Sequence, residues 1–219
     1  MPALSMVQTI AVWVLPVLLA VTMHEAAHAF VANRCGDSTA KMLGRLSLNP
    51  LRHVDMMGTF IVPILIGILS QFQFVFGWAK PVPINGSRLH KPRRDMALVA
   101  LAGPLSNFIM AILWAVVLKL STFFHPITSY PALFFFLMAR AGIFINLVLG
   151  LLNLIPIPPL DGSRVMASLL PPSKAIQYLK LERFGFFILI ALMFTGVLST
   201  ILEPLLRGAL QLIETGFKL

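Results

Sequence analysis

Charge is what this chain has least of. Of its 219 residues only 11% are Asp, Glu, Lys or Arg, against roughly a quarter in a soluble domain, while 58% are apolar. That composition excludes an ordinary soluble globule. Cysteine is almost absent too: Cys35 stands alone, which excludes an intrachain disulfide and any zinc site built from several thiolates. It reads as a small filler near a helix end. Acidic residues are scarce, 8 against 17 Lys and Arg, for a formal net charge of +9. In a soluble chain that imbalance would suggest nucleic acid, but here the basic residues fill short loops between apolar runs. They are orientation signals under the positive-inside rule, and no nucleic-acid partner is expected. The first apolar run has no basic segment ahead of it and no Ala-x-Ala-like exit, so it is expected to be kept rather than cleaved as a signal peptide.

Apolar runs occupy residues 9–32, 59–76, 96–118, 133–155 and 184–202, followed by a short amphipathic tail at 204–219. A helix of about 18 or more such residues crosses ~30 Å of hydrocarbon. Arg34, Lys41, Arg45 and Arg52 follow the first run, and Lys80, Arg88, Lys91, Arg93 and Arg94 follow the second. If every run crossed, these two basic loops would face opposite sides and break the charge rule. The second run is also interrupted by Pro63 and Gly67 and carries Gln71 and Gln73 near its far end. A re-entrant element returning to the cytoplasmic side answers both facts. The expected fold is therefore an all-α polytopic membrane protein of about four to six transmembrane helices, read as full crossings plus one re-entrant segment and a short extended loop. Residues 1–219 form one integral-membrane domain, with a core at about 9–170 and a C-terminal helix and tail at 184–219. Arg140, inside the fourth run, is expected to snorkel to the interface.

The first run ends in His24-Glu25-Ala26-Ala27-His28. Residues i and i+4 share a helix face, so both imidazoles can bind one metal ion, while Glu25 is displaced by ~100° and can reach a water activated there. Ionisable groups inside an apolar helix cost several kcal/mol unless a metal or partner compensates. A polar cluster that merely ties helices together is the structural alternative. A catalytic zinc takes three protein ligands and keeps one open position, so a third ligand is required. Position 34, where some zinc helices carry another His, holds Arg34, and the next Glu after Glu25 is Glu182. Asp37 is too close along the chain to fold back easily. His53 and Asp55 lie in a basic loop, where a histidine is expected to be solvated. Asp161 remains, in Asn153-Leu-Ile-Pro-Ile-Pro-Pro-Leu-Asp161-Gly162. Its prolines end the fourth helix, either to aim the carboxylate at a metal or simply to make a turn.

Three ordered motifs carry a resemblance to the site-2 proteases, the intramembrane zinc metalloproteases. They are His24-Glu25-x-x-His28, Ala102-Gly103-Pro104-Leu105-Ser106-Asn107, and Asn153-x-x-Pro156-x-Pro158-x-Leu160-Asp161-Gly162. Residues 77–85 and 49–59 look like the compact bacterial branch, and no PDZ-like insertion interrupts the chain. The resemblance implies one Zn2+ per chain held by His24, His28 and Asp161. It implies Glu25 as the base and Asn153 as a polar group steadying the substrate or oxyanion. The substrate would be a transmembrane protein, cut within or beside its membrane segment, and the location a bacterial inner membrane. Gly103 and Ala102 read as sites of close helix approach, Ser106 and Asn107 as donors across helices.

A helical substrate has its amides bonded internally and must be opened before it is cut. Lys80-Pro81-Val82-Pro83-Ile84-Asn85 is held extended by its prolines, so Val82 and Ile84 are expected to pair with an unwound substrate by strand addition; a proline-stiffened interfacial loop is the structural alternative. Two rival functions use the same residues: a zinc transporter and a non-proteolytic scaffold for transmembrane partners. The transporter lacks a second polar relay across the bilayer, and the scaffold has no use for Glu25.

Overall fold

The computed structural model describes residues 5–62, 65, 68, 80–123 and 130–219. Helix α1 (Met6–Arg34) starts on a capping box: Gln8 N–H donates to Ser5 Oγ, and Ser5 N–H donates back to Gln8 Oε1. It is followed by the single turn α2 (Thr39–Met42), and the chain then reaches α3 (Pro92–Phe123) and α4 (Tyr130–Leu154). Four shorter or bent helices close the described structure: α5 (Asp161–Leu169), α6 (Pro172–Leu179), α7 (Glu182–Phe194) and α8 (Val197–Phe217). No strand occurs among the described residues.

Three helices are long and apolar enough to cross a membrane, at Val7–Arg34, Pro92–Ser121 and Pro131–Leu154, and the bent pair α7–α8 is a candidate for a fourth span. The three pack around Trp114, Leu118, Met138, Ile143 and Leu147, with Ala111, Ala115, Ala139 and Ala141 between them. Lipid tails are as apolar as these side chains, so small residues that allow close van der Waals approach do much of the holding. The outward faces stay apolar, with Leu105, Ile109, Ile112 and Leu120 exposed. Arg140 is exposed and stacks over the Phe136 ring at 5.9 Å.

The C-terminal region differs from the sequence expectation. The run at 184–202 is not one straight helix, because Gly196 takes a left-handed φ of 75° and α7 and α8 diverge by 75°. The tail does not begin at Pro204 either. Helix α8 runs through it, and Leu206, Leu210, Ile213 and Phe217 pack on the α1–α3–α4 core.

The re-entrant reading of 59–76 falls, beyond Val62, almost wholly outside the described residues. Its flanks are described and lie together: Lys80 N–H donates to His53 O at 2.9 Å, and His90 N–H donates to Cys35 O at 2.9 Å. Both basic loops thus sit at the end of the bundle where α1 finishes and α3 begins.

Candidate metal centre

Helical spacing on α1 stacks the rings of His24 and His28 edge to face, with Nε2 atoms 3.0 Å apart. Asp161 Oδ2 lies 3.1 Å from His24 Nε2 and 3.2 Å from His28 Nε2. Among the described residues this is the one cluster of three His, Cys, Asp or Glu side chains able to hold a metal ion. Asp161 arrives there through the proline-rich loop. Helix α4 stops at Leu154, and α5 starts at Asp161. A Cβ on Gly162 would stand 2.3 Å from Leu154 O and 2.6 Å from Ile155 O, so glycine alone lets the first turn of α5 rest on the carbonyls that end α4. The other end of α5 is held by Arg93 of α3, whose Nη2 donates to Ser168 O and Leu170 O at 2.9 and 2.6 Å. Asp161-Gly162 is therefore a helix start, where the sequence left open an ordinary turn.

The outer nitrogens of the two rings are committed. His28 Nδ1 is 2.7 Å from Val99 O, a carbonyl that can only accept, so Nδ1 carries the proton. His24 Nδ1 is 2.7 Å from Asn107 Oδ1. Asn107 Nδ2 donates to Ala20 O and to Asn146 Oδ1, which fixes the amide's orientation and makes its oxygen the acceptor. With Nδ1 committed outward, each imidazole in its neutral form turns a lone pair at Nε2 inward. Asp161 Oδ2 is buried and accepts no hydrogen bond. Three lone-pair atoms converging within about hydrogen-bond distance repel one another unless a cation lies among them. Two imidazole nitrogens and one carboxylate oxygen are a donor set that suits zinc with one position left open. Buried Asn107 and Asn146 are the polar partners that sequence reasoning did not connect to the site. Asn107 is the one amide of apolar α3, and Asn146 is one of two amides, with Asn153, in apolar α4.

Gly103 of α3 sits against the rings: a Cβ there would be 2.4 Å from His28 Nε2 and 2.6 Å from His24 Cε1. Glu25, beside the pair, accepts a hydrogen bond at Oε2 from Val82 N–H at 2.8 Å. The amide expected to meet substrate is thus engaged by Glu25, while the Val82 side chain is buried with Ala29 and Ala40. Ile84 packs near Ala32, Leu89 and Val99. Asn153 donates to Leu149 O in its own helix at 3.0 Å. His53 is a correction: it is buried, not solvated, with Nε2 2.8 Å from Ser47 O. The short helical turn just before it, Pro50–Arg52, folds its loop inward, and Asp55 accepts from Gly58 N–H at 2.7 Å. Neither residue joins the cluster of three.

The model of peptidase family M50 matches residues 12–133 and 124–196. The chain is 38% identical over 200 residues to "Putative zinc metalloprotease YwhC" of Bacillus subtilis (strain 168), covering 89% of this chain and 85% of that one. It is 31% identical over 182 residues to "Putative zinc metalloprotease Rip2" of Mycolicibacterium smegmatis, covering 83% and 66%. "Zinc metalloprotease MJ0392" of Methanocaldococcus jannaschii is 31% identical over 163 residues, 74% of this chain and 34% of that one. No solved structure matches. With three membrane-length helices around a His-His-Asp cluster, the chain belongs to peptidase family M50, the site-2 proteases, and is an intramembrane zinc metalloprotease.

Proposed function

We propose that His24, His28 and Asp161 hold one catalytic zinc and that Glu25 is the general base for hydrolysis of a peptide bond within or beside a substrate's transmembrane helix. The observation that carries this reading is the inward convergence of three lone-pair atoms, each Nε2 fixed by a hydrogen bond on the far side of its ring. Zinc, when bound, acidifies water and polarises the scissile carbonyl. Glu25 takes the proton from the attacking water and delivers it to the leaving amine. Asn153, one turn before the proline loop, turns its amide from Leu149 O to the developing oxyanion. The segment 80–85 receives the unwound substrate, with Val82 pairing through its carbonyl, since Glu25 holds its N–H, and Ile84 through its N–H and carbonyl. Residues 1–219 act as a single peptidase unit in the bacterial inner membrane, and water enters from the cytoplasmic side, where α1 ends among basic loops.

Purified protein in detergent tests the assignment through zinc content by mass spectrometry and cleavage of a transmembrane peptide. Glu25→Gln keeps zinc and loses cleavage by at least about 100-fold, because the amide preserves shape but accepts no proton. His24→Ala loses both. Near-normal cleavage by the Gln variant would remove Glu25 from the base role.

A further inference from the structure

Between Lys80 and Ile84 the backbone has a single N–H, because Pro81 and Pro83 carry none. That one amide, on Val82, is the donor to Glu25 Oε2 at 2.8 Å. The segment that presents it is pinned on both sides. Upstream, Lys80 N–H donates to His53 O at 2.9 Å. Downstream, Asn85 N–H donates to Asp37 Oδ2 at 2.6 Å. Asp37 lies just past the end of α1, the helix that carries Glu25, and is wholly buried. Its other oxygen accepts from Thr39 N–H at 3.0 Å and from the Thr39 hydroxyl at 2.5 Å. Burial would push the carboxyl up, but donation from Thr39 and Asn85 and the charge of Arg88 outweigh it and hold it below the usual carboxylate range. Asp37 is therefore an anion at neutral pH, with charge-assisted bonds of the stronger kind.

We propose that Asp37 is a positioning residue for the catalytic base: by clamping Asn85 it fixes the extended segment 80–85, whose Val82 N–H holds Glu25 Oε2 and leaves Oε1 to face the water. The inference rests on Glu25 being the base. A displaceable latch would leave Val82 loosely packed, whereas its side chain is buried against Ala29 and Ala40, next to the same anchor. The clamp ties both ends of the device to α1, so base and donor move together. A carboxylate with one oxygen fixed keeps its remaining lone pairs aimed, and misplacing a reacting group by an ångström costs about 100-fold in rate.

The test uses full-length protein in detergent, with Asp37→Asn as the shape-preserving variant and Asp37→Ala as the complete removal. Three readouts are taken on each: zinc content, steady-state kinetics on a transmembrane peptide, and hydrogen exchange of a fragment spanning 80–90. Zinc stays at the wild-type level in both variants. The kcat falls about 10- to 100-fold while KM changes less than about threefold, and exchange at the Val82 amide accelerates. Glu25→Ala gives the same accelerated exchange, since it removes the acceptor directly. Unchanged Val82 protection in Asp37→Ala, or lost protection with unchanged kcat, overturns the positioning role. A raised kcat would mean that the contact restrains the enzyme, and overturns it as well. If Asp37→Ala fails to fold, the same readouts on Asp37→Asn decide, because its neutral side chain weakens both sets of bonds without emptying the site. Because exchange reports the hydrogen bond and not catalysis, failure of Glu25 as base, seen in Glu25→Gln, is distinguishable from failure of the clamp.

Discussion

Asn107 on α3 and His24 on α1 share a 2.7 Å hydrogen bond that decides which nitrogen of His24 faces the metal position. The same amide reaches Ala20 O at 3.1 Å and Asn146 Oδ1 at 3.0 Å, so one buried side chain joins α1, α3 and α4 while setting the imidazole tautomer. Partners of this kind are worth about 10- to 100-fold in metal affinity. Asn107→Ala is expected to weaken zinc binding by that factor, measured by competition with a chelator, and to lower cleavage in parallel at limiting zinc. Excess zinc should restore much of the cleavage.

Asp161→Ala should cut zinc occupancy and activity together, because it removes one of the converging donors. His53→Ala should leave zinc bound even though His53 is buried; its cost appears as a fall in stability of about 1–3 kcal/mol. Asp55→Ala loses the bond from Gly58 N–H and keeps zinc. Metal analysis of the three purified variants separates the proposed third ligand from His53 and Asp55. Full zinc in the Asp161 variant would strike it from the site.

Gly103→Ala places a methyl group 2.4 Å from His28 Nε2. The contact can be relieved only by moving a ring or separating α1 from α3, so zinc content should drop sharply. Gly208→Ala is the matched control: it lies inside α8 with nothing within 4 Å of the added Cβ. Relief of glycine's backbone freedom there should hold or slightly raise the melting temperature, with zinc and activity unchanged.

The His24–His28–Asp161 cluster was legible because its information is local or chemical. His24 and His28 announce themselves by i, i+4 spacing, and Asp161 by being the remaining acid that can reach them. Asn107 was legible only as a polar group needing a partner; its pairing with His24 depends on the rotation of α3 against α1, which no single motif encodes. His53 misled because a histidine between Arg52 and Asp55 has the sequence context of a solvated loop, while the fold tucks the ring under Ser47 O. The apolar runs located three spanning helices, but hydropathy cannot see a left-handed φ at Gly196, and so α7 and α8 read as one run plus a tail.

Cysteine labelling in a Cys35→Ser background tests the sidedness. Leu48 and Ser87 are exposed, in loops whose neighbours are bonded across the same end of the bundle. Leu48→Cys and Ser87→Cys should react with an impermeant reagent from the same, cytoplasmic side, and Ser5→Cys, at the start of α1, from the opposite side. Labelling of Leu48→Cys and Ser87→Cys from different sides would make 59–76 a full crossing.

The extended segment offers few groups to a substrate. Val82 N–H is held by Glu25, Lys80 N–H by His53 O and Asn85 N–H by Asp37, and the prolines have none to give. Ile84 N–H is the amide of 80–85 that meets no acceptor among the described residues, so strand addition must use it together with the segment's carbonyls. Ile84→Pro removes that N–H and the side chain that packs near Ala32, Leu89 and Val99, while Ile84→Ala removes only the packing. If the segment opens helical substrates, Ile84→Pro should lower their cleavage about tenfold more than Ile84→Ala does, since one lost pairing bond at the cut site is worth about 1.4 kcal/mol. The gap should narrow for substrates that already carry Gly or Pro at the cut. Val82→Pro should depress both substrate types equally, because it takes the hydrogen bond from Glu25 and so impairs the chemistry whatever the substrate's conformation. Equal losses from Ile84→Pro and Ile84→Ala would show that the segment supports the base but does not unwind the substrate.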